Sequence, residues 1–335
     1  MEQATLSPPR RICIVGAGAV GGFLGARLSS CGHHTSAIDR GKTLEALREH
    51  GWRIQTGDGI ASFPVAASDK AAELGQQDLV ILSVKGQTIP DVASSISPLL
   101  GPETIVMTAV NGVPWWFFDG LEGPLAGATL SCVDPNGDLR SQIASRRVVG
   151  CVVNATFSSP QPGVTRSGGG NALILGEAMG GISPRLESLL GLFRQAGFDA
   201  TGSACIQRDI WFKLWGNMTH NPISALTGAT CDRIIEEPLV RDFSTAVMDE
   251  AARIGARIGC PVQQSPWERN AQTLKLGAFK TSMLQDAEAG RALEIGPLLS
   301  VVNEIAGRVG VAAPNIAALL GLMRLYAQVR GVSTA

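Results

Sequence analysis

The amino-acid sequence predicts an α/β domain with a doubly wound parallel sheet, followed by an all-helical domain. Three observations carry that prediction. Short β-like runs alternate with helical patterns in the first part of the chain, and strands alternating with helices of roughly ten residues imply a parallel sheet. From about Ser145 the β-like runs lengthen. After about Cys205 the β signal disappears and helical spacing takes over. The boundary falls near 205, dividing a domain at 10–205 from one at 206–330. A chain of 335 residues accommodates two domains at ~150 residues each.

Taken in order, Arg11-Ile12-Cys13-Ile14-Val15 is a compact strand and runs straight into Gly16. Residues 20–30 carry apolar side chains at helical spacing, closed by Cys31-Gly32. Residues 35–38, 79–84 and 104–110 read as further strands, and 89–100 as the crossover helix between the last two. Runs at 148–157 and 172–176, around a turn at Gly168-Gly169-Gly170, suggest an antiparallel extension at the sheet edge. In the second half, 208–226, 239–258, 282–289 and 297–309 read as helices, with Pro314 starting the last one. Residues 331–335 read as a frayed end.

Composition removes several function classes. Charged residues make up 17% and the formal net charge is -1, so no basic surplus draws the chain to nucleic acid or an anionic membrane surface. The strongly apolar runs are far shorter than the ~20 residues of a membrane span. Residues 1–11 are polar and contain proline, without the apolar core of a signal peptide. Seven scattered cysteines without a CxxC pair, and only four histidines, argue for reduced thiols and against a disulfide framework or a metal site. The expectation is a soluble cytoplasmic protein.

Gly16-Ala17-Gly18-Ala19-Val20-Gly21 is a GxGxxG loop placed directly after a strand and before a helix. The first glycine permits the tight turn, the second lets backbone approach a pyrophosphate, and the third lets the helix pack close to the strand. The helix N-terminus faces the anion. This is a dinucleotide-binding arrangement of Rossmann type. The second strand ends in Ala37-Ile38-Asp39-Arg40, and these two charged residues pull in opposite directions. Asp39 lies near the ~20-residue offset of a ribose-binding carboxylate and favours NAD(H). Arg40 is placed to clamp the extra phosphate of NADP(H). The reading adopted is NADP(H), with NAD(H) left open by Asp39. Lys85 and Asn111 follow neighbouring strands at the carboxyl edge, where ligands bind in open α/β sheets.

The stretch from Asp209 to Pro222 is the most informative part of the second half. Lys213, Asn217 and Asn221 are spaced four apart, so they line one stripe of a helix at about 6 Å of rise per step. Their neighbours Trp211, Phe212, Leu214, Trp215 and Met218 are large and apolar, and a lysine with two amides in that setting is costly to bury without partners. Pro222 predicts that the helix kinks or ends there. Hydride delivery to a ketone creates an alkoxide, and a protonated lysine beside the carbonyl oxygen stabilises and protonates it. The ordinary lysine pKa of ~10.4 is too high for easy donation, and an apolar setting lowers it. Standing alone, Ser282 reads as a helix cap and Glu294 as a surface carboxylate.

These residues together resemble the ketopantoate reductase (2-dehydropantoate 2-reductase) family. The resemblance is carried by the glycine loop, Val84-Lys85, Asn111-Gly112, Lys213-Leu214-Trp215-Gly216-Asn217 with Asn221-Pro222, and Thr281-Ser282-Met283-Leu284-Gln285-Asp286 with Glu294. It spans about 11–314 and implies reduction of 2-dehydropantoate to pantoate with NADPH. It implies that Gly16, Gly18 and Gly21 cradle the pyrophosphate and that Arg40 meets the 2′-phosphate. It gives Lys85 and Asn111 cofactor contacts and makes Lys213 the general acid. Asn217 and Asn221 would hold substrate hydroxyls, Ser282 the substrate carboxylate, and Glu294 would pair with Lys213 or contact the cofactor.

The chain departs from the family pattern at three places. Thr88 stands where a glutamine usually follows the first lysine, with Gln87 one place earlier. Ile295-Gly296-Pro297 replaces an Asn-Gly after the glutamate, and Cys231-Asp232 replaces another. These changes, with Asp39, keep open a reductase for another branched or aromatic 2-oxo acid, NADH-linked. A non-catalytic dinucleotide sensor is a third reading, although it has no evident need for Lys213, Asn217, Asn221 and Glu294 together. Aromatic surplus, including Trp115, Trp116 and Phe117, suits either a homodimer surface or a core.

Overall fold

The computed structural model describes residues 10–275 and 277–333. The chain forms two compact units. The first comprises residues up to Val110 together with Leu139–Ile206, and the second comprises Asn111–Asp138 together with residues from Gln207 onward. Residues 111–138, which the sequence pattern leaves in the first domain, thus belong with the helical unit. The aromatic run explains this grouping: Trp115, Trp116, Phe117 and Phe118 are all buried, and the Phe117 ring lies 6.3 Å from that of Trp211. These four aromatics are core, whereas Trp267 and Phe212 of the same unit are exposed.

The first unit carries strands β1 Arg11–Val15, β2 His34–Ile38, β3 Trp52–Thr56, β4 Gly59–Phe63, β5 Ala66–Ser68, β6 Gln77–Leu82, β7 Leu100–Thr108, β8 Val148–Gln161, β9 Val164–Glu177 and β10 Asp199–Gly202. Its helices are α1 Ala19–Ser30, α2 Gly41–His50, α3 Ile89–Ser95, α4 Asp138–Gln142 and α5 Pro184–Gln195. The sheet order is β4-β3-β9-β8-β7-β6-β1-β2-β5, with β10 added on β9. Strands β5, β2, β1, β6, β7 and β8 run parallel in that sequence. Central strands β1 and β6 are almost wholly buried, which is why they read as near-continuous apolar runs rather than alternating ones.

The predicted antiparallel extension exists but is larger and differently turned. β8 and β9 pair antiparallel, and their hairpin turns at Pro162-Gly163, whereas Gly168-Gly169-Gly170 lies inside β9 opposite irregular pairing at Asn154–Phe157. Each strand has 14 residues, roughly 46 Å at ~3.3 Å per residue. One end of β9 therefore takes β3 and the other takes β10, so the β8–β9 pair is interior and the β3–β4 hairpin forms the edge. Helix α1 packs closely on this side: a side chain at Gly25 would stand 2.5 Å from the Trp52 ring.

The second unit holds α6 Ile206–Thr227, α7 Cys231–Glu236, α8 Pro238–Arg257, α9 Pro266–Leu274, α10 Ser282–Glu288, a π-helical turn at Gly296–Ser300, α11 Val301–Val309 and α12 Pro314–Arg330. Contrary to expectation, α6 runs through Pro222. Proline inside a helix costs ~3 kcal/mol, but every residue from Met218 to Ala225 is buried here, and this packing outweighs the lost bond. Trp215 Nε1 donates to the Met248 carbonyl at 2.8 Å, fixing α6 against α8. The buried carboxylate of Glu250 accepts from Asn315 N, Asn315 Nδ2 and Ile316 N (3.0, 2.7 and 2.9 Å), holding the first turn of α12. The end of the chain is anchored as far as it is described, because Leu293 N donates to the Ser333 carbonyl; residues 334–335 lie outside the described range.

Candidate functional site

In the first unit, the glycine loop joins β1 to α1. Gly16 has φ +92°, a left-handed conformation in which a side chain would also meet Val84 at 2.6 Å. A side chain at Gly21 would stand 2.1 Å from the Gly16 carbonyl and 2.2 Å from Ser83 Oγ. The protein's own packing therefore demands both glycines. Gly18 is different: a Cβ there meets nothing within 4 Å, so no protein atom excludes a side chain from the space above it. No side chain caps α1, and no acidic residue occupies its first turn. The N–H groups of Ala19, Val20 and Gly21 lie outside the intrahelical ladder, and together they make a cradle suited to a pyrophosphate.

Asp39 follows β2 but faces the loop. Its Oδ2 accepts the Ala17 N–H at 2.6 Å, and its Oδ1 accepts the Arg40 N–H at 2.7 Å. Both oxygens thus face backbone amides. The Arg40 guanidinium is exposed and makes no hydrogen bond or ion pair with another described residue. Lys85 is half-buried just beyond β6. Thr88, at the position of the family's glutamine, closes the turn after Lys85 by donating its N–H and Oγ to the Lys85 carbonyl at 2.9 and 2.8 Å.

In the second unit, Lys213, Asn217 and Asn221 do share one stripe of α6. Lys213 and Asn217 are half-buried, and Asn221 is 7% exposed. Neither asparagine side chain bonds to another described residue, and neither amide is sealed away from solvent, so both are open to a polar ligand in place of water. Asn111 Nδ2 approaches Glu294 Oε2 at 3.4 Å, bringing two residues 183 positions apart together. Gly112 makes this approach possible. Its φ is +83°, a side chain there would strike the Pro297 carbonyl at 2.2 Å, and Val113 N donates to that same carbonyl. Glu294 is accordingly half-buried, not a surface carboxylate.

Ser282 begins α10 and is exposed; the helix cap is Thr281, whose hydroxyl accepts the Leu284 N–H. Sequence reasoning missed Ser83, the inward role of Asp39, and Arg269 in α9. The guanidinium of Arg269 lies 5.2 Å from the Phe212 ring centroid. Its neighbour Asn270 accepts from His220 Nε2 at 3.1 Å. Burial pushes the His220 pKa down to about 4 against that hydrogen bond, with Arg269 adding to the depression. No group of three or more potential metal-binding side chains occurs among the described residues. No described helix is long and apolar enough to cross a membrane.

Comparison with known proteins agrees with this anatomy. The family model for the ketopantoate reductase PanE/ApbA matches residues 12–180, and the model for its C-terminal part matches 205–327. A 2-dehydropantoate 2-reductase from Mesorhizobium japonicum is 41% identical over 322 residues, covering 96% of this chain and 99% of the relative. Among solved structures, a ketopantoate reductase candidate from Ralstonia solanacearum MolK2 is 55% identical. It superposes with a TM-score of 0.93, covering 96% of this chain and 99% of its own. The 2-dehydropantoate 2-reductase from Methylococcus capsulatus is 27% identical, with a TM-score of 0.81 and 97% and 99% coverage. The doubly wound sheet, the helical second unit and matches along nearly the whole chain lead to one conclusion: this protein belongs to the ketopantoate reductase family of oxidoreductases.

Proposed function

We propose that this protein reduces 2-dehydropantoate to pantoate with NADPH, in the cytoplasm. The observation that carries this reading is the Lys213–Asn217–Asn221 stripe with its unbonded amides, in a chain 41% identical to a 2-dehydropantoate 2-reductase. Gly16, Gly18, Gly21 and the amides that open α1 hold the pyrophosphate, with Ala17, Ala19 and Val20 supplying the intervening backbone. Arg40 takes the 2′-phosphate, which the inward-facing Asp39 does not contest. Lys85 and Asn111 bind the cofactor. Bound NADPH supplies the hydride.

Lys213 donates its proton to the carbonyl oxygen as negative charge develops there, serving as general acid and electrostatic stabiliser. Asn217 and Asn221 orient the substrate hydroxyl and carbonyl without adding charge. Ser282 takes the carboxylate. Glu294, held near Asn111, tunes the position of Lys213. A second reading keeps this chemistry with another branched or aromatic 2-oxo acid. The segment after Glu294 favours it, because a π-helical turn packed on Gly112 stands in place of the family's Asn-Gly.

The test is NADPH oxidation followed at 340 nm with 2-dehydropantoate, beside a panel of 2-oxo acids and NADH. Efficient turnover of 2-dehydropantoate with NADPH is the expected result. Near-zero turnover with that substrate, against high turnover of another, transfers the function to the second reading. Cofactor binding with no turnover on any 2-oxo acid identifies a sensor instead.

A further inference from the structure

Arg269 is a cation without a counterion among the described residues. It projects from α9 across Gly216 of α6: a side chain at Gly216 would stand 2.6 Å from one terminal guanidinium nitrogen and 3.0 Å from Nε. Its Nε is buried and has no hydrogen-bond partner, and the guanidinium forms no ion pair or hydrogen bond with another described residue. Desolvation lowers its pKa, with no carboxylate opposing the shift. The neighbouring acid, Glu268, is exposed and turned back onto Ser265 in a capping box. The Phe212 face stabilises the cation in part, but it offers no acceptor to the N–H groups.

Its position on α6 is the second observation. Phe212, Gly216 and His220 form the stripe that meets α9 through Arg269 and Asn270. Gly216 is three residues after Lys213 and adjacent to Asn217. Residues three apart on a helix are neighbours at ~5–6 Å, so the row of α6 that meets Arg269 lies next to the Lys213–Asn217–Asn221 row. An acid substrate held on that stripe carries a carboxylate that must leave water. Ser282 offers that group one hydroxyl and no charge, and Lys213 is committed to the carbonyl oxygen. A planar arginine fork matches a carboxylate in two parallel hydrogen bonds.

We propose that Arg269 binds the carboxylate of the acid substrate and so determines specificity for 2-oxo acids over neutral ketones. The inference rests on the reading of Lys213, Asn217 and Asn221 as the substrate stripe. Steady-state kinetics of Arg269→Gln and Arg269→Lys are to be compared on 2-dehydropantoate and on its lactone, which keeps the ketone but lacks the carboxylate. Arg269→Gln is expected to raise KM for the acid ~10–100-fold, with kcat within about threefold and KM for the lactone unchanged. Arg269→Lys, which keeps the charge but loses the fork, should fall between. Gly216→Ala, which crowds the guanidinium, should reproduce the same selective rise in milder form.

Equal changes for acid and lactone indicate a packing role and overturn the proposal, as does no change for either. Melting curves verify folding, and Arg269→Lys serves if the glutamine variant is unstable. Should wild type fail on 2-dehydropantoate, the proposed function fails separately. The comparison then moves to whichever 2-oxo acid the panel identifies and its methyl ester. If no acid is turned over, tryptophan-fluorescence titration with oxamate decides. Binding weakened by Arg269→Gln supports the proposal, and equal binding, or none to wild type, overturns it.

Discussion

The Asp39 carboxylate accepts the backbone N–H of Ala17 at 2.6 Å while its other oxygen accepts that of Arg40. An aspartate in this position faces the second residue of the glycine loop, so its charge stiffens the loop. Asp39→Ala should therefore weaken NADPH and NADH alike, by ~10-fold for the loss of a charge-assisted bond. Fluorescence titration of both nucleotides measures this; a loss confined to NADH would show that Asp39 binds the ribose.

Arg40 should behave in the opposite way. Its guanidinium has no partner among the described residues, and charge-assisted phosphate contacts are strong. Arg40→Ala should raise the Kd for NADPH ~10–100-fold and that for NADH by no more than about twofold. The ratio of the two dissociation constants is the deciding quantity.

Lys213→Ala should lower kcat by ~10²–10⁴, the usual contribution of a positioned proton donor. NADPH affinity should not change, because the role proposed for the lysine is on the carbonyl oxygen. An unaltered turnover rate rejects its role.

Glu250 is 2% exposed and accepts three hydrogen bonds from the start of α12. Glu250→Ala leaves the buried Ile316 N–H without its acceptor and removes two further bonds from half-buried Asn315, at a cost of ~2–4 kcal/mol. The lower melting temperature should be visible by calorimetry in the transition of the helical unit. The first unit, with the glycine loop and Arg40, should keep its own thermal transition.

His220 makes stability pH-dependent. Burial depresses its pKa from 6.5 to about 4. On acidification the unfolded chain takes up a proton near 6.5, while the folded chain resists until about 4. Stability should therefore fall as pH drops through that window, by up to about 3 kcal/mol. Urea midpoints at pH 7.5, 6 and 5 measure the decline, which His220→Asn should make shallower.

Much of this anatomy is legible in the chain because it is local. The glycine loop and the four-residue spacing of Lys213, Asn217 and Asn221 depend on contiguous residues, and periodicity places them directly. The β3–β4 hairpin escaped because its partner in the sheet is distant: Arg53 pairs with Val164, and short strands carry little signal of their own. The Gly168-Gly169-Gly170 turn was misplaced because glycines mark an irregular stretch within β9 as readily as a hairpin end. Pro222 misleads in the same way, since the local rule for proline takes no account of burial on every side.

The sequence by itself determined the strand–helix alternation around β1, β2, β6 and β7, the helical character of the second half, the glycine loop and the stripe on α6, since each is a periodic or motif-sized pattern along the backbone. Only the tertiary structure decided that Asp39 turns toward Ala17, that Asn111 reaches Glu294, and that Arg269 crosses Gly216. Those relationships join residues far apart in the chain, or depend on which way a single side chain turns. They are selected by packing and by the need to satisfy buried polar groups, and no linear spacing records them.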